Sequence, residues 1–275
     1  MSIGACACGG TTVTPPGPER QSPSGSQERT LTVAGQDRTY LLFRPPGLDA
    51  GKPAPVVLAM HGYTSSAAGM ESMTLFDAEA IKGGFVVVYP EGLARSWNAG
   101  RCCGDAESKN VDDVAFISQL IDSLVRDAHI DPKRVFVTGM SNGGMMAHRL
   151  ACEISDRIAA VASVSGALTF DACHPARSIS ILEMHGTTDP LVPFDEQLTG
   201  GMMRWASLDG CAPPPKITPG SDIATTTWSA CRDSVTVVLQ AVVGAGHSWF
   251  APSSAAQPGA TSAVWNFFSQ VPSRA

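Results

Sequence analysis

The sequence predicts an α/β domain built on a mostly parallel sheet with helices on both faces. Short β-branched apolar runs alternate with amphipathic helical stretches from about residue 30 to the end. The runs are continuously apolar, as strands covered by helices on both sides must be. A chain of 275 residues with 44% hydrophobic and 16% charged side chains suits one large domain with a buried core.

Residues 1–29 are rich in Gly, Pro, Ser and Thr and carry almost no large apolar side chains. They read as a flexible N-terminal segment, with 30–275 as the folded domain. Inside the segment, Ala5-Cys6-Ala7-Cys8-Gly9-Gly10 is similar to the end of a bacterial lipoprotein signal peptide. Cys8 is therefore a candidate lipid anchor, with a plain linker as the alternative.

Residues 30–33 and 40–43 read as a hairpin around Gly35-Gln36-Asp37. A buried strand, PVVLAM at 55–60, ends at His61-Gly62, and a helix follows over 67–82. FVVVY at 85–89 is the next strand, stopped by Pro90. Asn110 is expected to cap a helix with Asp112 and Asp113 in its first turn, and Val114, Ile117, Ile121 and Leu124 form its apolar face. RVFVT at 134–138 runs into Gly139-Met140-Ser141-Asn142-Gly143-Gly144, and a helix continues to about 152. Further strands are expected over 159–164, 178–184 and 235–243, and a last helix over 262–269. Segment 191–227 is broken by Pro213-Pro214-Pro215 and Pro219-Gly220, and reads as an irregular excursion over the sheet.

The chemistry starts at Gly139-Met140-Ser141-Asn142-Gly143. This G-x-S-x-G pattern follows a strand and opens a helix, the context a nucleophile elbow requires. Ser141 is thus the candidate nucleophile. A serine needs a base, and His247 stands in Gly244-Ala245-Gly246-His247 directly after the last strand. The nearest rival, His148, is seven residues past Ser141 on the same helix, roughly 10 Å along its axis. His61 and His185 end strands and are expected to brace loops, and His129 and His174 to lie in loops or on the surface. The acid belongs after a strand between serine and histidine. Asp189, in His185-Gly186-Thr187-Thr188-Asp189, fits, with Asp171 as the alternative. The backbone N–H of Asn142 and of Tyr63 are candidate oxyanion donors, with Thr64 as the alternative to Tyr63.

The net charge is −6 with no Lys/Arg cluster, which excludes a nucleic-acid partner. No run of 18 apolar residues is present to span a membrane. Six of the eight cysteines lie in the folded part, an even number that suits three disulfides and an oxidising, extracytoplasmic compartment. Cys211 and Cys231 bracket the later part of the excursion and should pair. A bond between neighbours is strained, so Cys102 and Cys103 are expected to pair with Cys152 and Cys173, in an order left open. No Cys or Cys/His spacing suggests a metal site.

Taken together, MHGYTSS, GFVVVYP, SWNAGRCCG, NVDDVAFI, GMSNGG, HGTTDP and GAGHSW occur in order between about residues 40 and 268. In these motifs the chain resembles the polyhydroxybutyrate depolymerase and feruloyl esterase family of α/β-hydrolases. The resemblance implies a single α/β-hydrolase domain and ester hydrolysis with no metal or organic cofactor. It places the triad on Ser141, Asp189 and His247, and matches Trp249 to the tryptophan after the catalytic histidine. Family members often follow that tryptophan with Pro-Gly, whereas this chain reads Phe250-Ala251-Pro252. Without an appended polymer-binding domain in the sequence, soluble or amorphous esters are the expected substrates.

Trp97, Trp249 and Thr64 are the candidate substrate-binding residues, the two tryptophans as walls of an acyl pocket. The expectation is a secreted, monomeric serine carboxylic-ester hydrolase acting on short or aromatic acyl esters, either feruloyl and acetyl esters or hydroxybutyrate oligomers. Two alternatives stand beside it: a serine peptidase on the same fold, and a non-catalytic binding lipoprotein.

Overall fold

The computed structural model describes residues 25–49, 51–252 and 259–273. Cys6 and Cys8, and with them the lipid-anchor expectation, lie outside the described residues. Ten strands form one sheet: β1 (Gln27–Val33), β2 (Gln36–Phe43), β3 (Ala54–Met60), β4 (Val86–Pro90), β5 (Ile130–Met140), β6 (Ala160–Val164), β7 (Ser180–Gly186), β8 (Lys216–Thr218), β9 (Ile223–Trp228) and β10 (Val237–Val242). Their order across the sheet is β1-β2-β4-β3-β5-β6-β7-β10-β9-β8. The central run from β4 to β10 is parallel throughout, and antiparallel strands flank it on both sides. The helices are α1 (Ala67–Thr74), α2 (Phe76–Gly83), α3 (Gly104–Ser108), α4 (Asp113–Asp127), α5 (Asn142–Glu153), α6 (Glu196–Leu208) and α7 (Ala260–Gln270).

Strand pleating divides the apolar residues between two cores. Val56, Leu58 and Met60 of β3 pack with Ile117 and Leu120 of α4, Met146 and Leu150 of α5, and Trp205 of α6. Val57 and Ala59 of the same strand join Met70 of α1, Phe76 of α2, and Trp265 and Phe268 of α7 on the opposite face. This is why the strands read as unbroken apolar runs. Both sides of the pleat are covered.

Several boundaries differ from expectation. Residues 27–29, assigned to the tail, belong to β1 and pair with residues 40–42. The helix expected over 67–82 is two helices, because Leu75 turns left-handed at φ 54° between α1 and α2. Asp112 rather than Asn110 caps α4, its carboxylate accepting from the Ala115 N–H. Asp113 lies in the first turn as expected. It is fully buried and accepts from Arg38 at 2.8 Å and from the Asn98 N–H at 2.8 Å. The excursion is largely regular: it holds α6, β8 and part of β9. Gly200 and Gly201 weaken the intrinsic helix signal of α6, but Leu198, Met202, Trp205 and Ala206 bury one face of it. Among the described residues, no helix is long and apolar enough to cross a membrane.

Cys211 pairs with Cys231 as expected. The other expectation fails. Cys152, near the end of α5, pairs with Cys173 after β6, and Cys102 pairs with its neighbour Cys103. Once α5 packs on β6, its last turn faces the 165–173 loop with a Cα–Cα distance of 4.6 Å, and the two adjacent cysteines are left to each other. No disulfide therefore ties the Trp97 loop to α5.

Candidate active site

All the candidate groups stand at the C-terminal ends of parallel strands, the edge where open α/β sheets hold their sites. Ser141 follows β5 and precedes α5 with φ 54° and ψ −120°, a conformation of high backbone strain for a residue with a side chain. It persists because the surrounding backbone is locked. The Ser141 N–H donates to the Val164 carbonyl at 2.9 Å. A Cβ on Gly143 would lie 2.3 Å from the Met60 oxygen, and one on Gly139 would lie 2.4 Å from the Gly143 carbonyl carbon. Only glycine at those two positions lets β3, β5 and α5 converge on the turn.

The β7 and β10 loops are laced together. The Thr187 N–H donates to the Val242 carbonyl, the Thr188 N–H to the Ala245 carbonyl, and the Gly244 N–H to the Thr187 hydroxyl. This lacing brings His247 Nδ1 to 2.8 Å from Asp189 Oδ2. The other Asp189 oxygen accepts the Leu191 and Val192 N–H groups, both at 2.9 Å. Burial alone would push the Asp189 pKa up, but these two N–H groups and His247 outweigh it and hold the carboxyl below its usual range. A carboxylate facing Nδ1 fixes the proton there, which leaves Nε2 as the basic nitrogen. The serine and histidine loops are also tied through Ser165, whose N–H donates to Met184 and whose hydroxyl donates to the Ser248 carbonyl at 3.0 Å.

The alternative acid does not reach this cluster. Asp171 is exposed and paired with Arg101. His148 is buried below the site against Glu183, and His129 and His174 are exposed. His61 braces the β3 loop: it donates from Nδ1 to the Gly62 carbonyl at 2.8 Å and accepts the Gly92 N–H on Nε2 at 2.9 Å. Burial keeps its pKa low, in line with a neutral ring.

The oxyanion candidates separate clearly. The Thr64 N–H is taken by the Arg95 carbonyl at 2.8 Å, whereas among the described residues the Tyr63 and Asn142 N–H groups donate to no protein acceptor. Gly62 brings the loop against the serine, since a Cβ there would lie 3.5 Å from Ser141 Cβ. Asn142 does a second task. Its side chain accepts the Trp97 N–H at 2.7 Å and donates to the Trp97 carbonyl at 3.0 Å, which ties the Trp97 loop to the start of α5.

Trp97 is not a pocket wall. It is fully buried, and its indole donates to the His61 carbonyl at 2.9 Å. It braces the loop that carries Tyr63. Trp249 is 8% exposed, packs edge-on to Phe76 and donates to the Thr261 hydroxyl at 2.9 Å. Thr64 is exposed, and Tyr63 is half-exposed with its ring over Gly104 beside the Cys102–Cys103 pair. Among the described residues, no group of three His, Cys, Asp or Glu side chains is arranged to hold a metal.

Sequence reasoning missed Glu183. This lone acid in the apolar strand SILEMHG is fully buried and accepts from both His148 and His185. The signal was available, because a charge inside a strand buried on both faces requires partners.

The profile of the family described as Esterase PHB depolymerase matches residues 38–199. Feruloyl esterase B of Piromyces equi is 31% identical over 235 residues, which are 77% of this chain and 42% of that protein. Feruloyl esterase C of Emericella nidulans is 29% identical over 258 residues, 90% of each chain. The acetyl xylan esterase from Aspergillus awamori superposes with a TM-score of 0.70 at 19% identity, over 88% of this chain and 98% of that one, a likeness of fold. The chain spans 63, 42 and 34% of the length of the first three curated relatives it matches.

Proposed function

Since the chain belongs to the PHB depolymerase family of esterases, we propose that it is a secreted serine carboxylic-ester hydrolase with Ser141, His247 and Asp189 as its triad. Ser141 Oγ attacks the ester carbonyl carbon while His247 Nε2 takes its proton. Asp189 holds the imidazole by Nδ1 and stabilises the imidazolium that forms. The N–H groups of Asn142 and Tyr63 receive the developing oxyanion. His247 then protonates the departing alkoxide, leaving an acyl-Ser141. Water, deprotonated by the same Nε2, hydrolyses that ester and restores the enzyme. The observation that carries this reading is the 2.8 Å contact of His247 with Asp189 at the same sheet edge as a strained Ser141.

Short or aromatic acyl groups are the proposed substrates. The names of the relatives include feruloyl and acetylxylan esterases. The half-exposed Tyr63 ring and the exposed Thr64 follow Gly62, which lies against Ser141, and so supply an aromatic and a polar group beside the serine. Secretion rests on the three disulfides, which persist in oxidising compartments.

The test combines labelling with a substrate series. An aryl phosphonate should phosphonylate Ser141 with loss of its aryl oxide, adding the phosphonyl mass, and Ser141→Ala should lower kcat on the order of 10³-fold or more with the fold intact. Across methyl ferulate and p-nitrophenyl esters from acetate to palmitate, kcat/KM should be highest for the short or aromatic acyl groups. Full activity in Ser141→Ala would overturn the mechanism. A rate rising steadily to palmitate would overturn the substrate class.

A further inference from the structure

Behind Asp189 lies a run of buried side chains that the hydrolytic steps do not use. Trp205 Nε1 donates to His148 Nδ1 at 3.0 Å. His148 Nε2 is 3.1 Å from one oxygen of Glu183. The other Glu183 oxygen is 2.9 Å from His185 Nδ1 and also accepts the Gly166 N–H at 3.2 Å. His185 Nε2 is 2.8 Å from the Val192 carbonyl and 3.4 Å from Asp189 Oδ2, the same oxygen that holds His247. Trp205, His148, Glu183 and His185 are all 1% exposed or less.

Donor chemistry sets the direction of every proton in this run. An indole N–H can only donate, so His148 Nδ1 must accept, and its proton sits on Nε2 facing Glu183. His185 meets a carboxylate on Nδ1, and a carbonyl and a carboxylate on Nε2. With Glu183 ionised, both its nitrogens face acceptors, an arrangement that favours a proton on each.

We propose that Trp205, His148, Glu183 and His185 form a positioning relay for Asp189, in which Glu183 holds His185 as a buried cation against the acid of the triad. The inference rests on Asp189 being that acid. His185 then has two effects. It meets the same Asp189 Oδ2 that holds His247. It also places a positive charge beside the oxygen that must stabilise a second imidazolium. The anionic end of the pair lies one ring further away and only partly offsets this. Burial works against charge on both partners, yet the hydrogen bond and charge of Glu183 leave the His185 pKa raised, and the two imidazoles leave that of Glu183 lowered. The titratable and charged groups that face His185 are Glu183 from its own strand and Asp189 from the loop after it, with His148 of α5 and His247 of the β10 loop one partner further on. The Phe194 ring packs on it at 6.1 Å.

The test reads charge as well as rate. Imidazole ¹⁵N NMR of the wild-type protein at pH 7.5 should show one histidine protonated on both nitrogens, absent from His185→Gln, and one neutral ring protonated on Nε2. Glu183→Gln keeps the shape but removes the anion, so His185 should lose a proton. The acid limb of the kcat/KM profile should then move up by about one pH unit, with kcat down about 10-fold and KM little changed. A merely structural role would lower activity at every pH and leave the limb in place. If the wild-type spectrum shows no doubly protonated ring, the relay is overturned even where Glu183→Gln does not fold. An unmoved acid limb in a folded Glu183→Gln protein also overturns it. The NMR result does not depend on turnover, and phosphonate labelling of Ser141 tests the esterase reading alone, so the two failures are distinguishable.

Discussion

Glu183 and Asp209 are both fully buried carboxylates beside β7, yet their environments drive them in opposite directions. Glu183 lies inside the strand and receives His148, His185 and the Gly166 N–H. Asp209, at the end of α6, receives the Ile179 N–H at 3.2 Å on one oxygen, while its other oxygen has no hydrogen-bond partner. Burial pushes the Asp209 pKa up to about 7, with that N–H and the charges of Arg232 and Arg177 only partly opposing it. Glu183 is held below its usual range in spite of equal burial. The donors a carboxylate meets, rather than its depth, decide whether it serves as a fixed anion. The donor-rich carboxylate stands behind the proposed triad, and the donor-poor one stands at the far end of the strand.

The sharpest way to break the comparison is at Asp189, the other donor-rich acid. Asp189→Asn should lower kcat on the order of 10⁴-fold, because an amide favours the wrong tautomer of His247. Asp171→Asn, which loses only an exposed pair with Arg101, should stay near wild type in the same assay. The reverse pattern would move the acid to Asp171.

A smaller effect is expected at the donor-poor end. The Cys211–Cys231 bond closes a loop of 20 residues, and the Arg232 N–H donates to the Asp209 carbonyl at 2.9 Å beside it. Replacing both cysteines with serine should cost about 3 kcal/mol in denaturant unfolding, with kcat held. A loss of activity with unchanged stability would show that this end is not separate from the site.

The smallest effect is the most specific. In the folded protein Asp209 keeps its proton up to a pH of about 7, whereas unfolded it releases it near 3.8. Between these values the folded state binds more protons, so stability falls as pH rises through that window and levels off above it. Asp209→Asn, which cannot ionise, should flatten this fall by one proton's worth, read as a smaller Tm difference between pH 5 and pH 8. Glu183 and Asp189 act in the opposite sense. Their contributions are present above the unfolded carboxyl pKa and are lost as pH falls through their lowered values. An unchanged Tm difference in Asp209→Asn would remove Asp209 from the contrast.

The fold and the principal residues of the candidate site were readable because each rests on local pattern. The β-branched runs mark the parallel strands, and Ser141, Asp189 and His247 each sit in a glycine- or threonine-containing turn directly after one. Reading failed where the deciding contact is distant in sequence. The strain of a bond between neighbours points Cys102 and Cys103 to Cys152 and Cys173, but the partner of Cys152 is Cys173, brought close when α5 packs on β6. Trp97 looked like a pocket wall because it lies on a loop near the site. Its indole and backbone are in fact consumed by His61 and Asn142. The α6 helix was hidden by Gly200-Gly201, since tertiary burial of Trp205 and Met202 overrode weak propensity.

What the sequence determined by itself was therefore the strand–helix alternation, the strand-to-helix turn at Ser141, and the placement of Ser141, Asp189 and His247 after successive strands. These depend on residue type within a few positions, where backbone sterics and periodicity act. Only the tertiary structure decided which acid meets His247, how Cys102, Cys103, Cys152 and Cys173 pair and how Glu183 keeps its charge. The contacts of Cys152, Glu183 and His247 span 21 to 58 residues of sequence, and a hydrogen bond or buried charge responds to the distance between groups rather than to their neighbours in the chain.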